Sequence, residues 1–217
     1  MQPFFGCIFF FGMDLLLLEK QLKKRLEFPY SWGKKQSDED DKKTAFIYSA
    51  RTFSELLESC QNLDEELRNY AFNRWLNFWS AKGVEQIFCK DEKVKPNYNQ
   101  YDKLVDFRIN EIPFDHKTSV FPKAYPKTLE EALENKEELI RWFYKNQSQE
   151  GRKHFKNRIF LVLYNKENVN EHWKLKTEIL YIKTIIEKYV SVYNSDNLVK
   201  LNLNGEEDWS DIIWIIK

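Results

Sequence analysis

Glycine is scarce in this 217-residue chain, with 6 in all, and none falls into a G-x-G-x-x-G or Walker-type run. No Gly-rich loop is available to cradle nucleotide phosphates, which sets aside transfer chemistry on a nucleotide. Cysteine is scarcer still: Cys7, Cys60 and Cys89 stand far apart, outside any C-x-x-C or Cys/His spacing, so neither a disulfide framework nor a zinc cage is encoded. An excess of one charge is also lacking. Lys+Arg and Asp+Glu each total 34, so any nucleic-acid contact has to come from local basic clusters rather than from an overall field. No apolar run reaches the roughly 20 residues of a spanning helix, because MQPFFGCIFFFG lacks a basic flank and Asp14 interrupts the run before LLLL. Residues 1–12 are expected to be a disordered or loosely packed extension upstream of a start at Met13; a short membrane-associating segment is the alternative. The expected compartment is the reducing cytoplasm, without stable membrane association.

Apolar surface, by contrast, is plentiful. Hydrophobic residues make up 42% and aromatic residues 16%, enough for one substantial core beneath a richly charged exterior. The pattern predicts an N-terminal extension over 1–53 and a folded domain over 54–217. Leu15, Leu18, Leu22 and Leu26 recur at helical spacing before Pro29, and the polar stretch from Tyr30 to Tyr48 reads as a loop. A short helix is expected from Ser54. Asp64 is expected to cap a long one whose stripe of Arg74, Phe78, Ala81, Glu85 and Phe88 turns inward. After a polar segment from Lys90 to Asp102 comes a hairpin over 103–122 with Asn110-Glu111 at its turn. Thr128 and Glu131 form a reciprocal cap for a helix reaching Asn146, RIFLVLYN (158–165) reads as a buried central strand, and 171–193 reads as a helix. Two strands, 198–203 and 211–216, flank Asn204-Gly205.

The hairpin carries the chemistry. Residues two apart on a strand share a face, so Asp115 and Lys117 project together while Phe114, His116 and Thr118 face the other way. Pairing around the 110–111 turn brings Asp106 opposite Asp115. Two carboxylates drawn together repel unless a proton or cation intervenes, and Mg²⁺ suits such a pair because it prefers hard oxygen ligands and takes only one or two carboxylates. The plainer reading makes Asp115 and Lys117 an exposed surface pair of little energetic weight, with Asp106 a strand-entry residue. His116 and His172 read as structural residues and His154 as a surface one, and Trp75, Phe78 and Trp79 as core rather than a base-stacking platform.

Asp106, followed by Asp115-His116-Lys117 on the next strand, resembles the D…(D/E)xK site of the PD-(D/E)xK restriction-endonuclease-like nuclease superfamily, although Val105 stands where the motif has proline. The resemblance covers about half of the chain and implies an α/β fold with a restriction-endonuclease-like core, a mixed central sheet flanked by helices. It implies a Mg²⁺-dependent endonuclease, with Mn²⁺ as substitute, acting on double-stranded DNA in a type II restriction or defence role, and a homodimer to cut two strands. Asp106 and Asp115 would be metal ligands and Lys117 would position the attacking water. Glu85, with Glu66 as alternative, would supply the extra helix carboxylate. The basic cluster of Gln147, Gln149, Arg152, Lys153, His154 and Lys156, together with Lys34 and Lys35, would contact substrate. The rival reading is a catalytically silent nucleic-acid-binding or protein-interaction module of the same fold.

Overall fold

Asp14 accepts hydrogen bonds from the backbone N–H groups of Leu16 and Leu17, opening α1 (Leu15–Lys24), which buries Leu15, Leu18 and Leu22. The computed structural model describes residues 12–32, 36–99, 102, 104–146, 157–203 and 205–217. Within the stretch expected to be a loop lies α2 (Asp38–Lys43), capped by Ser37, followed by a 3₁₀ turn at Ala45–Tyr48. The charge run that suggested a loop is itself helix-forming: Asp38 to Asp41 fill the first turn and Lys42 and Lys43 the last, as the helix dipole favours. α3 (Phe53–Ser59) begins one residue before Ser54, because Thr52 and Glu55 form the capping box.

α4 (Glu65–Phe88) starts at the Asp64 cap and is buried on several sides, since α1, the sheet and a later helix all pack on it. Gly83 permits this crowding. A Cβ there would stand 2.7 Å from Leu18 Cδ2 and 3.2 Å from Ile179 Cδ1.

Six strands follow: β1 (Val94–Pro96), β2 (Phe107–Ile109), β3 (Ile112–Val120), β4 (Arg158–Tyr164), β5 (Val199–Leu203) and β6 (Glu206–Ile216). Their spatial order is β1-β2-β3-β4-β6-β5. β1, β2 and β3 form an antiparallel meander, β3, β4 and β6 run parallel, and β5 returns antiparallel at the edge. β1 lies inside the polar segment from Lys90 to Asp102; three residues with a single buried side chain, Val94, leave too little periodicity to read. The helix expected from Thr128 is two, α5 (Leu129–Glu134) and α6 (Lys136–Asn146), separated at Asn135, whose φ of −134° and ψ of 77° leave the helical region. Similarly, His172–Thr177 is a 3₁₀ segment and only Ile179–Ser191, α7, is α-helical.

The result is an α/β fold with helices on both faces of an open mixed sheet. On one face Phe107, Phe114, Ile159, Leu161 and Ile213 share a core with residues of α1, α4 and α7. Opposite, Phe160, Val162 and Ile212 pack with residues of α5 and α6. β4 is therefore covered twice, which its unbroken apolar run anticipates. Among the described residues no helix is long and apolar enough to cross a membrane.

The β2–β3 hairpin pairs Ile109 with Ile112 and Phe107 with Phe114. Its two turn residues, Asn110 and Glu111, have φ of 46° and 69°, the doubly left-handed geometry of a type I′ turn. Asparagine tolerates that region; glutamate does so poorly. Replacing Glu111 by glycine is expected to raise the thermal midpoint by about 1–3 °C, despite loss of the exposed Lys95–Glu111 ion pair. Thermal unfolding followed by circular dichroism measures it.

Candidate functional site

β3 changes neighbours in mid-course. Pairing with β2 ends at Phe114, where the Asp106 N–H donates to the Phe114 carbonyl at 2.8 Å, and pairing with β4 begins at Asp115. Asp106 is thus one residue outside β2 rather than within a strand, yet continuing the hairpin register sets it opposite Asp115. Beyond Phe114 no strand among the described residues covers the outer edge of β3. A cleft of ≈ 380 Å³ opens along that edge and is lined by residues of both sheet faces, among them Glu85, Asp106, Asp115, His116, Lys117 and Lys176.

The two faces explain the geometry. Asp115 and Lys117 stand beside Arg158 and Phe160 on the α5/α6 side, whereas His116 and Thr118 stand beside Ile159 and Leu161 on the α4 side. Alternation along β3 is therefore as the sequence reading has it. What that reading misses is that an edge strand exposes both faces to one cavity. His116 is not merely a packing residue: its ring lies against Phe107 and Phe88, but its Nδ1 and its backbone N–H donate to Asp106 Oδ2 at 2.7 and 2.8 Å.

Each carboxylate has a cationic companion. Arg158 directs Nε and a terminal nitrogen, both at 2.6 Å, to Asp115 Oδ2, and Lys82 Nζ lies 2.6 Å from Glu85 Oε2. Burial on its own would raise the Asp106 pKa, but the charge and hydrogen bonds of His116, with Lys82 behind, hold the carboxyl below its usual range. Burial would likewise lower His116; the Asp106 charge and hydrogen bond, aided by Glu85 and Asp115, raise it instead. Lys117 is pushed down by burial and by Arg158, against the pull of Asp115, and makes no hydrogen bond or ion pair among the described residues. It is not the exposed surface partner of the plainer reading.

Lys176 arrives from the 3₁₀ segment, 59 positions after Lys117, and no local pattern flagged it. Asn77 Oδ1 accepts from its Nζ at 2.6 Å, and burial together with the Lys117 charge lowers its pKa to about 8. Arg158 was likewise missed as a site residue, since only the β3–β4 pairing brings it to Asp115.

Of the residues singled out in the sequence, Glu85, Asp106, Asp115 and Lys117 come to one cleft. Glu66 does not: it lines a separate depression with Ser31, Glu65 and Asn69 near the start of α4. Lys34, Lys35, Gln147, Gln149, Arg152, Lys153, His154 and Lys156 lie outside the described residues. His172 is buried and its Nδ1 accepts from the Asn165 N–H, a structural role. Trp75 and Trp79 are buried and donate to the carbonyls of Ala50 and Ile47, as core residues do, while Phe78 lines the cleft.

Among the described residues no three His, Cys, Asp or Glu side chains gather closely enough to cage a metal. The carboxylates lean toward their own cations. The carboxylate oxygens of Asp106, beside β2, and of Asp115, on β3, still suit a hard ion such as Mg²⁺, which takes one or two carboxylates and keeps water in its other positions. Compared with protein-family models, curated proteins and solved structures, the chain matches none of them.

Two measurements follow from these charges. The Asp106–His116 contact contributes most between the ordinary values of 3.8 for the acid and 6.5 for the imidazole, where both are charged. It weakens as pH falls through the lowered Asp106 pKa, and again as pH rises through the raised His116 pKa. A double-mutant cycle of Asp106→Asn and His116→Phe is expected to give a coupling of about 1–2 kcal/mol near pH 5.5, shrinking by pH 8. For Lys176, whose pKa falls on folding, the penalty of holding the charge is full below about 8 and disappears as pH approaches 10.5. Lys176→Met is therefore expected to stabilise the protein by about 1–3 kcal/mol at pH 7, with the gain fading toward pH 10 in chemical denaturation.

Proposed function

We propose that the chain is a metal-dependent endonuclease of the PD-(D/E)xK, restriction-endonuclease-like build, hydrolysing phosphodiester bonds of double-stranded DNA. The observation that supports it is the meeting of Glu85, Asp106, Asp115 and Lys117, drawn from a helix and a splayed hairpin, on one cleft. The order of helix, hairpin, helix and parallel strand agrees with that build. Asp106 and Asp115, with Glu85 elsewhere on the same cleft, would hold Mg²⁺ or Mn²⁺, which when bound would polarise a phosphoryl oxygen and lower the pKa of a bound water.

The chain's own groups do the rest. His116 fixes Asp106 through two hydrogen bonds to a single oxygen, and its charge keeps that acid ionised. Arg158 holds Asp115 from the neighbouring strand. Lys117, partly shielded and unpaired among the described residues, orients the attacking water and offsets charge developing on the phosphate. Cutting both strands of a duplex calls for two such clefts and hence a homodimer. A restriction or defence role is the setting this chemistry suggests, by analogy of fold.

A second reading, a catalytically silent nucleic-acid-binding module, is favoured by the cation held against each carboxylate. The two separate in one assay. Duplex DNA incubated with Mg²⁺ or Mn²⁺ is expected to be cut, with the rate falling by about 10²-fold or more in Asp115→Ala and Lys117→Ala while both variants keep a cooperative melt. Retained binding without cleavage in either metal sinks the nuclease reading and leaves the module.

A further inference from the structure

The acidic side of the cleft is matched by a basic one that the D…DxK pattern does not contain. Lys117 and Lys176 both line the cavity, one from β3 and one from the 3₁₀ segment that packs beside it. Neither has an acidic ion-pair partner among the described residues; the hydrogen bond of Lys176 goes to the neutral Asn77. Thr118, on the same stretch of β3, contributes a buried Oγ1 that has no hydrogen-bond partner there. Two shielded ammonium groups repelling each other across a cavity are costly, and a fold tolerates them where an anion enters to offset the charge. Burial, and after it the Lys117 charge, also disfavour the charged form of Lys176.

We propose that Lys117 and Lys176, the latter steered by Asn77, form a two-lysine clamp that binds one phosphate oxyanion within the cleft. Lysine serves phosphate as a mobile point charge, and two of them with a nearby hydroxyl match an anion that presents several acceptor oxygens. A planar carboxylate would engage fewer of these donors. Taken with the nuclease reading, on which this step rests for its substrate, the oxyanion is a phosphate of the DNA backbone. The clamp then sets which backbone phosphate lies against the acidic residues.

The test separates the clamp from catalysis by excluding metal. In EDTA, inorganic phosphate is titrated into the full-length wild type, Lys176→Met, Lys176→Arg and Asn77→Ala, with Lys183→Met as a remote control, by calorimetry and by shift of the thermal midpoint. An uncleaved DNA duplex and a mononucleotide, read by fluorescence anisotropy, distinguish a backbone phosphate from a free one. Wild type is expected to bind phosphate, Lys176→Met about tenfold more weakly or worse, Lys176→Arg close to wild type, and Asn77→Ala in between. The duplex is expected to lose affinity in step with phosphate. Lys176→Met removes a buried charge and is expected to fold; Asn77→Ala, which keeps that charge, gives an independent reading of the same site. Phosphate binding that is undetectable in wild type, or equal in Lys176→Met, overturns the clamp. Lys176-dependent phosphate binding without Mg²⁺- or Mn²⁺-dependent cleavage keeps the clamp and removes the nuclease reading; cleavage with Lys176-independent phosphate binding does the reverse.

Discussion

A single switch of partner along β3 shapes the cleft of this protein. Up to Phe114 the strand belongs to a tight hairpin; from Asp115 it belongs to a parallel pair with β4. β2 and β4 lie on opposite edges of β3, so nothing in the pairing itself obliges β2 to leave; it does so at Asp106, one residue before its first strand residue. That departure leaves one edge of β3 uncovered among the described residues. Polar side chains on opposite faces of one strand thereby reach the same solvent space without breaking the alternation rule. Had β2 continued alongside β3, Asp115 and His116 would have been held on opposite sides of a closed sheet.

Electrostatics at that edge is organised in pairs. Three acids face the cleft, and a basic group stands against each: Arg158 from the neighbouring β4, Lys82 from the same helix as Glu85, and His116 from β3. Such pairing offsets the cost of bringing carboxylates into a half-buried space. Lys117 and Lys176 make no ion pair among the described residues. The cavity consequently carries acids held by their own cations and, among the described residues, two lysines outside any ion pair.

Local signals in the sequence were legible and distant ones were not. The Asn110-Glu111 turn, the Asp64 cap, the Thr128/Glu131 box and the apolar run of β4 each depend on neighbours within a few residues, and each stands where the pattern puts it. Asp106, Asp115 and Lys117 were legible for the same reason, since a two-residue turn fixes which residues oppose one another. Glu85 could be placed from the inward stripe of α4. Arg158 and Lys176 could not, because a parallel pairing and a packed 3₁₀ segment carry them to the cleft across dozens of residues. His116 illustrates a third case: its face was predicted, but its role follows from the strand being an edge. Helix continuity failed where a single residue, Asn135, left the helical region despite a favourable composition.

The close crossing at Gly83 reaches into the ancestry of the chain. Glu85 lies two positions along the helix, so the depth at which its carboxylate enters the cavity depends on how tightly α4 nests against Leu18 and Ile179. A side chain at position 83 requires the end of Leu18 to swing aside and that of Ile179 to give by a few tenths of an ångström, or the helix to shift. Drift in an N-terminal leucine, far from any reacting group, is thereby tied to the fate of an acid at the heart of the molecule.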